Sequence, residues 1–233
     1  MAYAPSELAS AVLAIGALGT AAYGLVDATK VFHGVSSSGF VFITEFLQRV
    51  APSEKGIPAE AAITREAMRE TLRASWLNGA PLSDQKNAAK SLVKLRLNAT
   101  TAPDLAQATG VDAALLGVVA TRLQSGLPLE QEHQNVYGRF DLLLATLVDR
   151  AYQRADQRYR NTSKAVACVI AVVLAEVAAW SLQTSGTVTG GGTLYVAALI
   201  AGLLATPLAP VAKDLASAIS TAAKAVQAVK GKA

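Results

Sequence analysis

Glu176 is the residue best placed by type and setting to do chemistry. It interrupts the apolar run Ala165–Leu182, which holds no Lys or Arg. A carboxylate in hydrocarbon is costly, so it marks an ion or proton site, a helix-packing device, or an acid close enough to water to escape. At 1.5 Å per residue it lies ~18 Å beyond Lys164 and only ~10 Å before Gln183. One turn further on is Trp180, a residue type enriched at membrane–water interfaces. The acid is therefore expected in the outer half of a span. It is either protonated and hydrogen-bonded between helices or directed toward the outer surface. Lining a wet cavity is the third outcome.

The basic residues are the next candidates. Lys86, Lys90 and Lys94 lie four apart, with Arg96 nearby. They read as a stripe for phosphate or anionic lipid, or as a solvated helix face. Arg150, Arg154, Arg158, Arg160 and Lys164 crowd the approach to the apolar run, with Tyr152 and Tyr159 among them. That is the composition of a juxtamembrane anchor for anionic headgroups.

Enzyme chemistry finds little support. His33 and His133 are the only histidines; they are far apart in sequence, and neither is flanked by a Cys or Asp/Glu cluster of metal-ligand spacing. The stretch HGVSSSG after His33 lacks the lysine and glycine placement of a phosphate loop, so it reads as a polar, flexible link. Cys168 is the single cysteine; it cannot form an intramolecular disulfide and reads as a small packing residue. No Ser-His-Asp or Cys-nucleophile pattern is visible, so neither an enzyme, a metal nor a cofactor is expected. PDLAQATGVDAALLGVVATRL, residues 103–123, has the layout of a helix-turn-helix. Its second helix carries Leu115, Leu116, Val118 and Val119, and only Arg122 is basic. A DNA reader needs polar and basic groups there, so a helical hairpin is expected and nucleic acid is not.

The elements that must position these residues are helical. Of 233 residues, 52% are hydrophobic and 16% charged, and the apolar ones are concentrated. Leu8–Val26, Ala165–Leu182 and Leu194–Val211 are each long enough to cross ~30 Å of hydrocarbon. The first is preceded by MAYAPSE, which has no basic n-region, so an uncleaved anchor is expected rather than a signal peptide. Of the 21 Lys and Arg, 17 lie between Lys30 and Lys164 and four after Val211. Basic segments stay cytoplasmic. The N-terminus is thus expected outside, residues 27–164 and the C-terminus inside. Four parts follow: an anchor over 1–29, a helical cytoplasmic domain over 30–163, a transmembrane hairpin over 164–211 and a tail over 212–233.

Within 40–163 no segment alternates with period two, so the fold class is all-α. Helices are expected over Phe40–Val50, from Pro58 through Leu77, over Asp84–Leu97 with Ser83 as cap, and over Thr101–Thr109 and Asp112–Ser125 as a pair around Gly110. A long helix follows Pro128 and runs into the second span as a stalk of ~80 Å. Its expected seam is Phe140, Leu143, Leu147, Ala151 and Ala155.

Each span also carries small residues at intervals of four: Gly16, Thr20 and Gly24; Ala167, Ala171, Ala175 and Ala179; Ala198, Gly202 and Thr206. Such faces let helices approach closely in a bilayer, within one chain or between copies. In the tail, Leu215, Ile219, Ala222, Val226 and Val229 form a narrow coiled-coil-like seam or a membrane-surface face. Two heptads need a partner.

The run NVYGRFDLLLATLVDRAYQRADQRYRNTSK, residues 135–164, resembles the stalk of uncharacterised bacterial integral membrane proteins, and LSDQKNAAKSLVKLRL, residues 82–97, has a similar character. The resemblance covers about a quarter of the chain. It implies a bacterial inner-membrane setting and supplies no activity. The expected function is a non-enzymatic, homo-oligomeric scaffold or assembly component, contacting anionic headgroups. A channel, pore-forming effector or small transporter is the alternative. An adaptor or sensor that binds a protein through its cytoplasmic helices is the second.

Overall fold

The computed structural model describes residues 5–28, 34–54, 56–58, 63–188 and 190–230, without the side chains of 5–8, 223 and 225–230. Among them are eight α-helices and no strands: α1 (Pro5–Ala28), α2 (Ser37–Val50), α3 (Arg65–Leu77), α4 (Leu82–Leu95), α5 (Ala102–Thr109), α6 (Ala113–Gln124), α7 (Gln131–Thr184) and α8 (Gly191–Lys230). The chain divides into two compact units, Met1–Val35 with Arg160–Ala233, and Ser36–Tyr159. Three helices, α1, α7 and α8, are long and apolar enough to cross a membrane.

Local chemistry sets the helix ends. Thr64 is extended, and its hydroxyl oxygen accepts from the Ala67 N–H at 3.2 Å, satisfying one of the free donors at the start of α3. That start is later than Pro58, which lies outside the helix. Before α4 it is the Pro81 carbonyl that accepts, from the Asp84 and Gln85 N–H groups. Ser83 lies inside this helix and its hydroxyl turns to Asp84 instead. Asp112 caps α6 by accepting from the Leu115 N–H at 2.8 Å. Gly110 ends α5 at φ 74°, a conformation a side chain would strain.

The Ser36–Tyr159 unit has its own core. Ile43, Leu47 and Val50 of α2, Met68 and Leu72 of α3, Ala89 and Val93 of α4, Leu105 of α5 and Leu116 of α6 are all buried there. From α7 come Phe140, Leu144, Val148, Tyr152 and Ala155. The seam expected through Leu143 and Leu147 is thus rotated by one residue, and those two are half-buried at its edge. Trp76, on the Met68–Leu72 stripe, donates its indole N–H to the Ser36 carbonyl at 2.8 Å and meets Tyr159 edge-on. The serine-glycine link is not loose throughout. Ser37 begins α2, and a Cβ on Gly39 would lie 2.3 Å from the Ala155 carbonyl. The absent side chain lets α2 and α7 touch backbone to backbone.

In the other unit Ala22, Val26, Ala167, Ala171 and Ala205 form the buried cluster. The close approaches are at glycines. A Cβ on Gly19 would meet the Ala205 carbonyl at 2.0 Å, one on Gly16 the Ala212 Cβ at 2.0 Å, and one on Gly202 the Val172 Cα at 2.6 Å. α8 continues through Pro207 and Pro210, so the third span and the tail are one helix. Proline is tolerated in such helices where neighbours compensate the lost hydrogen bond.

Candidate functional site

Each lysine of the α4 stripe faces a carboxylate of α7. Lys86 pairs with Asp149 at 2.9 Å, Lys90 with Asp141 at 3.0 Å and Lys94 with Asp141 at 2.5 Å. The spacing matches: two turns separate Lys86 from Lys94 on α4 and Asp141 from Asp149 on α7, in opposite order. These partners were not part of the lipid or phosphate reading of the three lysines. Their ammonium groups are committed to α7, and Lys94 also sits 5.7 Å from the Tyr137 ring centroid. Burial raises the pKa of Asp141, but hydrogen bonds from Lys94 and Lys90 outweigh it, and the carboxyl is held below its ordinary value.

Arg96, read from sequence only as a neighbour of that stripe, is the best-buried charge in the unit at 1% exposure. Its guanidinium donates to the Ile63 carbonyl at 2.8 Å, to the Glu54 carboxylate at 3.1 Å and to the Ser53 carbonyl. Glu54 also accepts from the Arg65 N–H at 3.0 Å. A planar cation with several donors can satisfy divergent carbonyls that lysine could not, so Arg96 organises the connection between α2 and α3. Nothing in its sequence neighbourhood signals this, because its partners lie more than thirty positions away.

The helix-turn-helix layout resolves as the hairpin α5–α6. Arg122, its single basic residue, donates to the Pro128 carbonyl at 3.0 Å and pairs with Glu130. It fastens the turn into α7. His133 is buried, and its Nδ1 has no hydrogen-bond partner among the described residues. His33 lies outside the described residues. Among the described residues no three His, Cys, Asp or Glu side chains come together as metal ligands. Cys168 is a free, half-buried thiol. The Tyr152 hydroxyl is buried in the core without a hydrogen-bond partner among the described residues, and burial pushes its pKa up.

The basic group before the second span is less uniform than its sequence suggests. Arg150, Arg154, Arg158, Arg160 and Lys164 are all exposed. Arg154 stacks over the Phe42 ring, 4.4 Å from its centroid. Arg150 and Arg154 line one cleft together with Arg49 and Glu45 of α2. Arg49 was not singled out by sequence, because its proximity to α7 depends on how α2 packs.

The small-residue faces divide. Gly16, Ala167, Ala171, Ala175, Ala179, Gly202 and Thr206 are buried, and Ala198 is half-buried. Thr20 and Gly24 are exposed; Thr20 donates to the Gly16 carbonyl of its own helix, and nothing stands within 4 Å of a Cβ on Gly24. The buried face of α1 runs instead through Gly16, Gly19, Ala22 and Val26. A helix turns once in 3.6 residues, so a stripe of strict fours drifts off the contact and steps of three restore it. In the tail Leu215 is half-buried, Ile219 and Ala222 are exposed, and the side chains of Val226 and Val229 lie outside those described. Glu176 is half-buried and makes no ion pair or side-chain hydrogen bond with the described residues, while Trp180 is exposed. No protein-family model matches the chain, and neither a curated protein nor a solved structure is similar to it.

Proposed function

We propose that the chain is a non-enzymatic component of a bacterial inner-membrane assembly, built from copies of itself. On this reading the Ser36–Tyr159 helices and the tail are cytoplasmic and the N-terminus is outside, which the concentration of Lys and Arg in those segments supports. Arg158, Arg160 and Lys164, close to the apolar run, meet anionic headgroups. One observation carries the self-assembly reading. The glycines of α1 and α8 that pack closely are consumed within the chain, yet Thr20 and Gly24 stay exposed on α1 at the spacing that favours a second helix. Size measurement by light scattering in detergent tests it. The wild type is expected to be oligomeric, and Gly24→Leu, at a position where an added Cβ has no described atom within 4 Å, is expected to shift it toward monomer with unchanged helicity. A strictly monomeric wild type would sink the proposal.

A pore is the second reading, and Glu176 favours it: this acid is half-buried and has no ion pair or side-chain hydrogen bond among the described residues. The buried faces of α1, α7 and α8 are mainly glycine and alanine, so a polar path has to form between copies. Ion flux into liposomes that disappears in Glu176→Ala with assembly intact would favour the pore over the scaffold. An adaptor role would instead draw on Leu95 and Leu142, which are both 70% exposed.

A further inference from the structure

Between α2 and α7 lies a cleft of about 70 Å³, within the Ser36–Tyr159 unit. One water needs about 10–15 Å³ of such space, so there is room for several waters, or for one tetrahedral oxyanion. Three guanidiniums line it, Arg49, Arg150 and Arg154, with one carboxylate, Glu45, and the Phe42 ring. The stacking of Arg154 on Phe42 holds that guanidinium in place before any ligand arrives. Glu45 forms no ion pair with any of the three, and none of these four side chains hydrogen-bonds to a described residue. This contrasts with the lysines of α4, whose charges are matched one turn after another by Asp141 and Asp149.

We propose that this cleft binds a phosphate group, with Arg49, Arg150 and Arg154 donating to its oxygens and Glu45 accepting from its proton. Guanidinium forks match phosphate oxygens in pairs, and hydrogen bonds between such charged partners are the stronger kind. Inorganic phosphate carries at least one proton near neutral pH, and a phosphomonoester, whose second ionisation lies near 6, carries one in part of its population. Sulfate carries none. A carboxylate on the rim therefore favours phosphate over sulfate, because against sulfate it meets only acceptors.

The group could be free or belong to a lipid. Phosphate oxygens are the chemistry that both sources share, and the two arms of the test separate them.

The test uses the full-length protein in neutral detergent, melted with inorganic phosphate, sulfate or chloride at equal ionic strength. Phosphate is expected to raise the melting temperature more than sulfate, and chloride not at all. Arg49→Gln and Arg150→Gln, both at exposed positions, should melt as wild type without phosphate and bind it about tenfold more weakly. Glu45→Gln should narrow the gap between phosphate and sulfate. Equal shifts with all three anions, or an undiminished phosphate response in both arginine variants, would overturn the site. Nanodiscs of phosphatidylcholine with and without phosphatidylglycerol form the second arm. Stabilisation by free phosphate supports the site with a soluble source, and stabilisation by phosphatidylglycerol alone supports it with a lipid headgroup.

Discussion

Asp141 shows how one residue can reassign several others. Its carboxylate faces Lys90 and Lys94 in a half-buried setting, so removing it leaves two ammonium groups opposed to each other. Asp141→Asn should destabilise the protein by about 1 kcal/mol at neutral pH, the scale of a partly exposed charge network. The pH dependence has a definite sign. A carboxyl whose pKa is lowered by folding contributes stability that is complete above its unfolded value, 3.8, and is lost as pH falls through the lower folded value. The gap in melting temperature between wild type and variant should therefore hold from neutral pH down to about 4 and close below that, where both are uncharged at this position. A gap that widened in acid would contradict the pairing.

At the scale of the element, glycine determines how closely helices approach. Gly202 and Gly24 have the same residue type in apolar helices, but a Cβ at the first meets the Val172 backbone and at the second meets nothing. Gly202→Leu should lower the melting temperature in detergent and loosen α7 from α8, since the overlap is with backbone and no rotamer relieves it. Gly24→Leu should lower the melting temperature only as far as the oligomer is lost. The sequence pattern alone ranks these two glycines equally. Most helices were legible for a different reason. Caps, prolines and glycines act on the nearest few residues, so α5 and α6 begin and end within a residue or two of expectation. Errors arose where two local signals competed. Thr64 took the cap that Pro58 suggested, and the Pro81 carbonyl displaced Ser83.

At the scale of the whole molecule, the two units have separate cores, and the Ser36–Tyr159 core draws on six helices. A fragment spanning these residues should therefore be soluble, helical by circular dichroism and cooperative on heating. An aggregated or non-cooperative fragment would show that its stability depends on the rest of the chain. The candidate sites were less legible than the fold. Lys86, Lys90 and Lys94 were visible as a stripe, but their partners sit about fifty positions away or more. Arg150 and Arg154 were visible as basic residues, but Arg49 joins them only through packing.

The sequence by itself determined the all-helical class, the three membrane-length helices and the passage of α7 without interruption into its apolar run. These follow from hydrophobic period, run length and local capping, which are properties of neighbouring residues. Only the tertiary structure decided which charges are consumed by partners and which line a cleft, which glycines touch a neighbouring backbone, and that Arg96 is buried. Those depend on which faces of distant helices meet, and contact across a fold is not encoded within any single stretch of the chain.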